Sequence, residues 1–382
     1  MPRFPEVAPH VAAMPGAVFS RLAHKIAALQ GEVFPLHVGD TWLEPFEGGR
    51  MEDFSVQTHP GMHRYSSPQG RPELIDALLE KVRNQNQLPA ERGSILVGAG
   101  ATGGLGAAIG MFAEPGDEVL ILAPFWPLIR GIVSAFQATP VEVPFFGCVE
   151  SAEGAVEAIA AKIGPRTTAI YVSTPSNPTG QVIPSSWLQA IAELARSHDL
   201  WLLSDEVYEE FVYEGEHCSI GQFAPERTFT AFSFSKTYGM AGNRTGYLVG
   251  PADVVPQCRK VSTHTFYSAP TAGQLAGLAA IQRGALWVAE TRELYKAAGY
   301  RAAEILQVPR PQGSTFLFLD VRSALDSRGV FGFLEDCLDD GLVLAPGPSF
   351  GKGFEGFVRL CFTSAPPDRV EEACRRLARR IR

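Results

Sequence analysis

Ser233-Phe234-Ser235-Lys236-Thr237-Tyr238-Gly239-Met240-Ala241-Gly242-Asn243-Arg244-Thr245-Gly246 sets hydroxyls, one lysine and one arginine in a glycine-punctuated stretch. The apolar run Thr228-Phe229-Thr230-Ala231-Phe232 stands just before it and reads as a buried strand. A lysine at such a strand end can be held in a cleft and form a Schiff base with a carbonyl. Arg244 and Ser233 suit a phosphate, one by charge and fork geometry, the other by its hydroxyl. Taken alone, the stretch also reads as an ordinary loop with a solvated lysine, so the rest of the chain has to decide.

Upstream, Ile95-Leu96-Val97, Val119-Leu120-Ile121-Leu122, Ala169-Ile170-Tyr171-Val172 and Trp201-Leu202-Leu203 are short and nearly continuous apolar runs, and Gly246-Tyr247-Leu248-Val249 follows the lysine segment. Buried parallel strands have this appearance, because helices cover both faces of their sheet. Helical patterns lie between them at Gly104–Met111, Leu128–Ala135, Ala152–Ala161 and Ser186–His198. The spacing fits βα units and predicts a large α/β domain over roughly residues 50–265. From Thr271 to Leu306 the pattern is helical, with Gly284 and Gly299 as points where it bends or splits. Strands are predicted at 315–319, 342–344 and 358–360, and a final helix carries acids at its start, arginines at its end and an apolar stripe of Val370, Ala373, Leu377, Ala378 and Ile381. The second region is therefore α+β, and the N-terminal forty-odd residues are expected to fold onto it.

Two further strand ends carry chemistry. Ser173-Thr174-Pro175-Ser176-Asn177-Pro178-Thr179-Gly180 follows the run at 169–172, and Asp205-Glu206-Val207-Tyr208 follows that at 201–203. Ligands of open α/β sheets bind beyond the carboxyl ends of the strands, so these segments and the lysine loop should converge. Singly, Asn177 reads as a turn residue and Asp205 as a helix cap. Together they make a site. Gly98-Ala99-Gly100-Ala101-Thr102-Gly103 spells GxGxxG, but the acid that should hold a ribose at the end of the next strand is absent, and Ala123-Pro124-Phe125-Trp126 stands there instead. What the glycines retain is a tight turn into a helix N-terminus that can hold a phosphate.

Several classes drop out. Lys+Arg 33 against Asp+Glu 41 gives a net charge of −8, which argues against a surface that coats nucleic acid. Pro5, Pro9 and Pro15 interrupt any leader-like apolar core near the N-terminus. Gly93–Ala113 runs 21 residues without a charge, but 7 of them are glycine, and a strand, turn and buried helix fit it better than a membrane span. Cys148, Cys218, Cys258, Cys337, Cys361 and Cys374 show no CxxC spacing and read as buried free thiols of a cytoplasmic protein; no HExxH or other metal-ligating pattern is present.

With those residues in hand, the chain resembles the fold-type-I pyridoxal-phosphate (PLP) enzymes, specifically the class I/II aminotransferases, over nearly its whole length. Ser233-Phe234-Ser235-Lys236 through Gly242-Asn243-Arg244-Thr245-Gly246 is similar to the family's SxSKxxxxxGxRxG signature, and Asn177-Pro178-Thr179-Gly180 to its NPTG motif. The resemblance implies that Lys236 bonds the cofactor and shuttles a proton, that Arg244 and Ser233 hold its phosphate, and that Asn177 and Tyr208 bond its 3′-oxygen. It implies that Asp205 faces the pyridine nitrogen, that Ala101 and Thr102 belong to the phosphate-cradling turn, and that Trp126 stacks on the ring. Arg359 in FVRLCF, Gly39 in HVGDT and Tyr65 in HRYSSPQG resemble, in turn, the arginine and glycine that bind the substrate α-carboxylate and the tyrosine that reaches the partner subunit's phosphate. Pro346-Gly347-Pro348-Ser349-Phe350-Gly351 matches the PGxxFG stretch before that arginine. Trp126 stands where tyrosine is commoner, Asn243 where an apolar or prolyl residue precedes the arginine, and Gly103 where GATE has an acid; these departures leave the substrate subfamily open.

The expectation is thus a mostly parallel seven-stranded sheet with helices on both faces plus a smaller α+β domain, divided into residues 1–48, 49–265 and 266–382. The implied activity is transfer of the amino group of an L-amino acid, neutral or aromatic, to a 2-oxo acid such as 2-oxoglutarate by way of pyridoxamine phosphate, in a cytoplasmic homodimer with shared active sites and with neither nucleic acid nor membrane as partner. The alternatives are a PLP-dependent lyase or amino-acid-modifying enzyme and, more remotely, a non-catalytic PLP-binding regulator, which would need a fused DNA-binding domain. Trp42, His63, Arg64 and Arg71 stand near the motifs without an assigned role.

Overall fold

Among the described residues twelve strands form in chain order: β1 (Phe34–Pro35), β2 (Ile95–Gly98), β3 (Glu118–Ala123), β4 (Thr139–Pro144), β5 (Thr167–Ser173), β6 (Trp201–Asp205), β7 (Thr228–Ser233), β8 (Gly246–Val249), β9 (Phe316–Asp320), β10 (Leu342–Val343), β11 (Ala345–Pro346) and β12 (Phe357–Cys361). They are seen in a computed structural model that describes residues 6–16, 18 and 21–381; part of the N-terminal stretch read above for a leader, including Pro5, and the terminal Arg382 lie outside the described residues.

The apolar runs become the centre of a seven-stranded sheet in the order β2-β8-β7-β6-β5-β3-β4. β4, β3, β5, β6 and β7 are parallel neighbours, whereas β8 runs antiparallel to both β2 and β7. Side chains alternate across a strand, and here both sets are buried. Val119 and Ile121 of β3, Tyr171 of β5 and Leu203 of β6 pack on one face with the helices Gly100–Phe112, Leu128–Ala135 and Val255–Thr265. Leu120, Leu122, Ile170, Val172 and Leu202 pack on the other with Ala152–Ala160 and Ser185–Ser197. The uncharged stretch resolves into β2 and the helix Gly100–Phe112, and no helix among the described residues is long and apolar enough to cross a membrane.

β4 was not among the expected strands. Its sequence, TPVEVP, holds prolines at both ends, which a ladder tolerates only at an edge, and β4 is an edge strand. The helical sequence after Pro270 splits at Gly284 into Thr271–Arg283 and Ala285–Leu306, while Gly299 lies inside the second helix. There it serves contact: a Cβ on Gly299 would fall 2.9 Å from the Phe362 ring. Of the cysteines, Cys148 is exposed and Cys218 partly so, contrary to the expectation of burial.

A second core gathers both ends of the chain. β11, β12 and β9 form an antiparallel three-stranded sheet, and β1 pairs in parallel with β10. Phe34 and Leu36 join Phe316, Leu319, Phe333, Leu360 and Leu377 in one cluster, closed by the helices Ala285–Leu306 and Pro367–Ile381.

Candidate active site

Sheet register brings the strand ends side by side. Ser173 at the end of β5 stands opposite Asp205 at the end of β6, and Asp205 opposite Ala231 of β7, two residues before Ser233. The chain then turns directly into the short helix Phe234–Thr237, which carries Lys236, and Ser233 Oγ caps it by accepting from the Ser235 amide at 3.0 Å.

Asp205 is buried. Tyr171 Oη donates to its Oδ2 at 2.6 Å, and its Oδ1 has no hydrogen-bond partner. Burial raises this carboxyl to about 6, opposed by the Tyr171 hydrogen bond. Lys236 Nζ donates to the Gly39 carbonyl, and burial lowers the pKa of the amine against the pull of Asp40 and Cys361. Gly39 has no room for a side chain: a Cβ there would stand 2.6 Å from the Phe316 ring and 3.6 Å from Tyr208 Oη. The Tyr208 ring meets Phe316 edge-on at 5.7 Å, and burial holds its phenol above the ordinary tyrosine range.

Arg359 reaches this group from β12, where it faces Phe318 of β9. Its Nη1 donates to Asn177 Oδ1 at 2.8 Å and its Nη2 to the His37 carbonyl at 2.7 Å, while Nε has no partner. The guanidinium lies 4.2 Å from the Phe316 ring centroid and 4.9 Å from that of Phe350. Burial draws it down to about 10, so it stays cationic at neutral pH.

On the other side of Lys236, Gly100-Ala101-Thr102 opens the helix Gly100–Phe112, with Gly100 at φ +71°. β8 presses against that turn: a Cβ on Gly246 would fall 2.7 Å from the Gly100 carbonyl carbon and 2.8 Å from the Ala101 nitrogen. Arg244, itself left-handed at φ 49°, donates to the Ala241 and Ala99 carbonyls, so its guanidinium sits beside the free amides of the helix N-terminus. Trp126, just after β3, is half-buried against the core face that carries the helix Gly100–Phe112.

The donor set suits PLP. A buried carboxylate oxygen without a partner fits a cationic ring nitrogen, helix amides beside an arginine fit a phosphate, and a buried lysine fits a carbonyl carbon. The remaining expected residues are placed elsewhere. Tyr65 is 88% exposed with its ring 5.0 Å from Tyr267, and His63 and Arg64 are also exposed. Arg71 pairs with Glu73 at 3.6 Å, and Trp42 is fixed through its backbone to the Thr363 carbonyl. Sequence reasoning did not single out Tyr171, Phe316 or His37, and quoted Phe350 only within the PGxxFG match. Tyr171 left a trace, a hydroxyl in the otherwise apolar run at 169–172; the His37 carbonyl left none, since any residue supplies one.

Residues 41–377 match the family Aminotransferase class I and II. A probable aspartate/prephenate aminotransferase of Thermus aquaticus is 34% identical over 332 residues, 84% of each chain. An arginine–pyruvate transaminase of Pseudomonas aeruginosa is 32% identical over 83% of this chain and 82% of that one. A solved mutant of the aspartate aminotransferase of Thermus thermophilus superimposes with a TM-score of 0.89 at 30% identity, covering 98% of this chain and 100% of the other. The fold is that of the type I PLP enzymes, and the chain belongs to the class I and II aminotransferases, a family of PLP-dependent enzymes.

Proposed function

We propose that this aminotransferase moves the amino group of a neutral or aromatic L-amino acid to a 2-oxo acid such as 2-oxoglutarate, with Lys236 carrying the proton. One observation carries the reading: a buried cationic Arg359 is held by Asn177 and the His37 carbonyl between the rings of Phe316 and Phe350, in the same buried group as Lys236. The guanidinium would take the substrate α-carboxylate, and the aromatic walls around it favour an apolar side chain. The similar proteins named above differ in substrate, so family membership does not choose among donors.

Bound here, PLP supplies an electron sink for the pair left at Cα when the Cα–H bond breaks. Burial favours the neutral amine of Lys236, the form that could accept the Cα proton and return it at the cofactor's C4′, one nitrogen away. Asp205 Oδ1 would face the ring nitrogen and hold it protonated, while Tyr208, kept as a neutral phenol, and Asn177 would contact the 3′-oxygen. Arg244, Ser233 and the Ala101–Thr102 turn would anchor the phosphate, and Trp126 would cover the ring. The unit of residues 49–265 would carry the cofactor, and 1–48 with 266–382 would bring Gly39 and Arg359 to the substrate. Tyr65 would complete the phosphate site of the other subunit in a cytoplasmic homodimer.

Amino donors assayed in pairs with oxo acids should give a new amino acid and a new oxo acid in equal amounts with a neutral or aromatic donor. Ammonia release without a second amino acid would overturn the reading in favour of a lyase. Lys236→Ala should lose at least about 1,000-fold in kcat while still taking up PLP without covalent attachment.

A further inference from the structure

We infer that Tyr171 is a positioning residue of this enzyme: its phenol holds Asp205 Oδ2 and so turns the other carboxylate oxygen, Oδ1, towards the ring nitrogen of the bound cofactor. The inference rests on the reading of Asp205 given above and goes beyond it. Tyr171 lies in the middle of β5, opposite Leu203, and two residues before Ser173, which stands opposite Asp205. Residues two apart share a face, so the tyrosine lies diagonally across the ladder from the aspartate, within reach of a long side chain. It is fully buried among aliphatic residues, where a phenol needs a partner, and the partner it has is Asp205 at 2.6 Å.

A carboxylate with one oxygen tied can no longer spin, and the oxygen left over has a defined direction. Here that oxygen is buried and unpaired. The groups around it are Glu206, next in the chain, Tyr208 beyond it, Lys236 from the segment after β7, and Tyr171 from β5. Burial and Glu206 favour the protonated acid, while the Tyr171 hydroxyl, the Val207 backbone N–H and Lys236 favour the carboxylate. Tyr171 is the one hydroxyl that does so by direct donation from a side chain. Burial and the adjacent Asp205 keep the phenol itself protonated, so it remains a donor across the working pH range.

Tyr171→Phe keeps the ring and removes only the hydroxyl. In the holoenzyme we expect kcat to fall about 10- to 100-fold with KM for the amino donor changed less than about 3-fold. In the apoenzyme, the Asp205 carboxyl, followed by infrared difference spectroscopy with Asp205→Asn as blank, should titrate about one pH unit higher. Once Asp205 is replaced by Asn, adding Tyr171→Phe should change kcat less than about 2-fold, which a purely structural defect would not respect. If Asp205→Asn is crippled but Tyr171→Phe moves neither kcat nor the titration, the positioning role is overturned and the reading of Asp205 stands. If Asp205→Asn is fully active, both fall. Should Tyr171→Phe fold poorly, 3-fluorotyrosine at 171, a stronger donor, should lower the Asp205 titration in the full-length protein; no movement overturns the proposal.

Discussion

The carboxyl of Asp205 couples the chemistry of the site to the stability of the fold. In the cofactor-free protein its value is about 6, above the roughly 3.9 of an unfolded chain. The folded state therefore binds this proton more tightly, and the stability contributed by the group is lost as pH rises from about 4 to 6. Above that window the buried carboxylate costs on the order of 3 kcal/mol. Asp205→Asn should accordingly leave the apoprotein equally stable near pH 4 and more stable than wild type at pH 7, while the holoenzyme loses at least about 100-fold in kcat. Thermal unfolding at several pH values checks this, and a variant that is less stable throughout would refute it. Asp205, Asn177 and Lys236 were legible because each follows a run that reads as a strand, and sheets place their ligands there. Phe316, which flanks Arg359, was not: an aromatic residue in an apolar stretch looks the same whether it packs a core or braces a cation, and Phe350 on the other side was legible only as part of the PGxxFG match.

At the scale of elements, the junction of β8 with the turn into Gly100–Phe112 is a close backbone-to-backbone contact beside the proposed phosphate site. Gly246→Ala would drive a methyl into three backbone groups, those of Gly100, Ala101 and the Phe232 carbonyl, none of which can swing away as a side chain could. The substitution should cost about 1–3 kcal/mol of stability. Because it would displace the amides proposed to meet the phosphate, it should also weaken PLP binding at least about 10-fold, measurable by cofactor titration of the apoprotein. The helix Pro72–Asn84 was not read, whereas most strands of the large sheet and four of the helices beside it were legible from their pattern, since burial on both faces leaves an unbroken apolar run in a strand. β4 was not, because its prolines argue for a turn until its edge position is known. The helix Val255–Thr265 escaped for a related reason: it is polar over most of its length and buries only Val255, Cys258 and Ser262.

Over the whole molecule, the exposed Tyr65 and the rings beside it bear on assembly. If Tyr65 serves a neighbouring subunit, sizing should give a dimer, Tyr65→Phe should weaken PLP retention about 10-fold, and a fully active monomer would exclude the arrangement. The smaller core was legible in part, as separate strands and the helical sequence at 271–306 and 368–382, but the helix Gly329–Asp339 was not read, nor was the pairing of β1 with β10, since two-residue strands leave no periodicity to read. That closure has a consequence for biosynthesis. Arg359 and the carbonyl of His37 that holds it are 322 residues apart. At roughly 5–20 residues per second a ribosome needs about 15–65 s to pass from one to the other. The nascent chain can thus lay down the strands of its large sheet, and Lys236 with them, before Arg359, the residue proposed to take the substrate carboxylate, is made, so that an unfinished cleft faces its surroundings through the last part of synthesis.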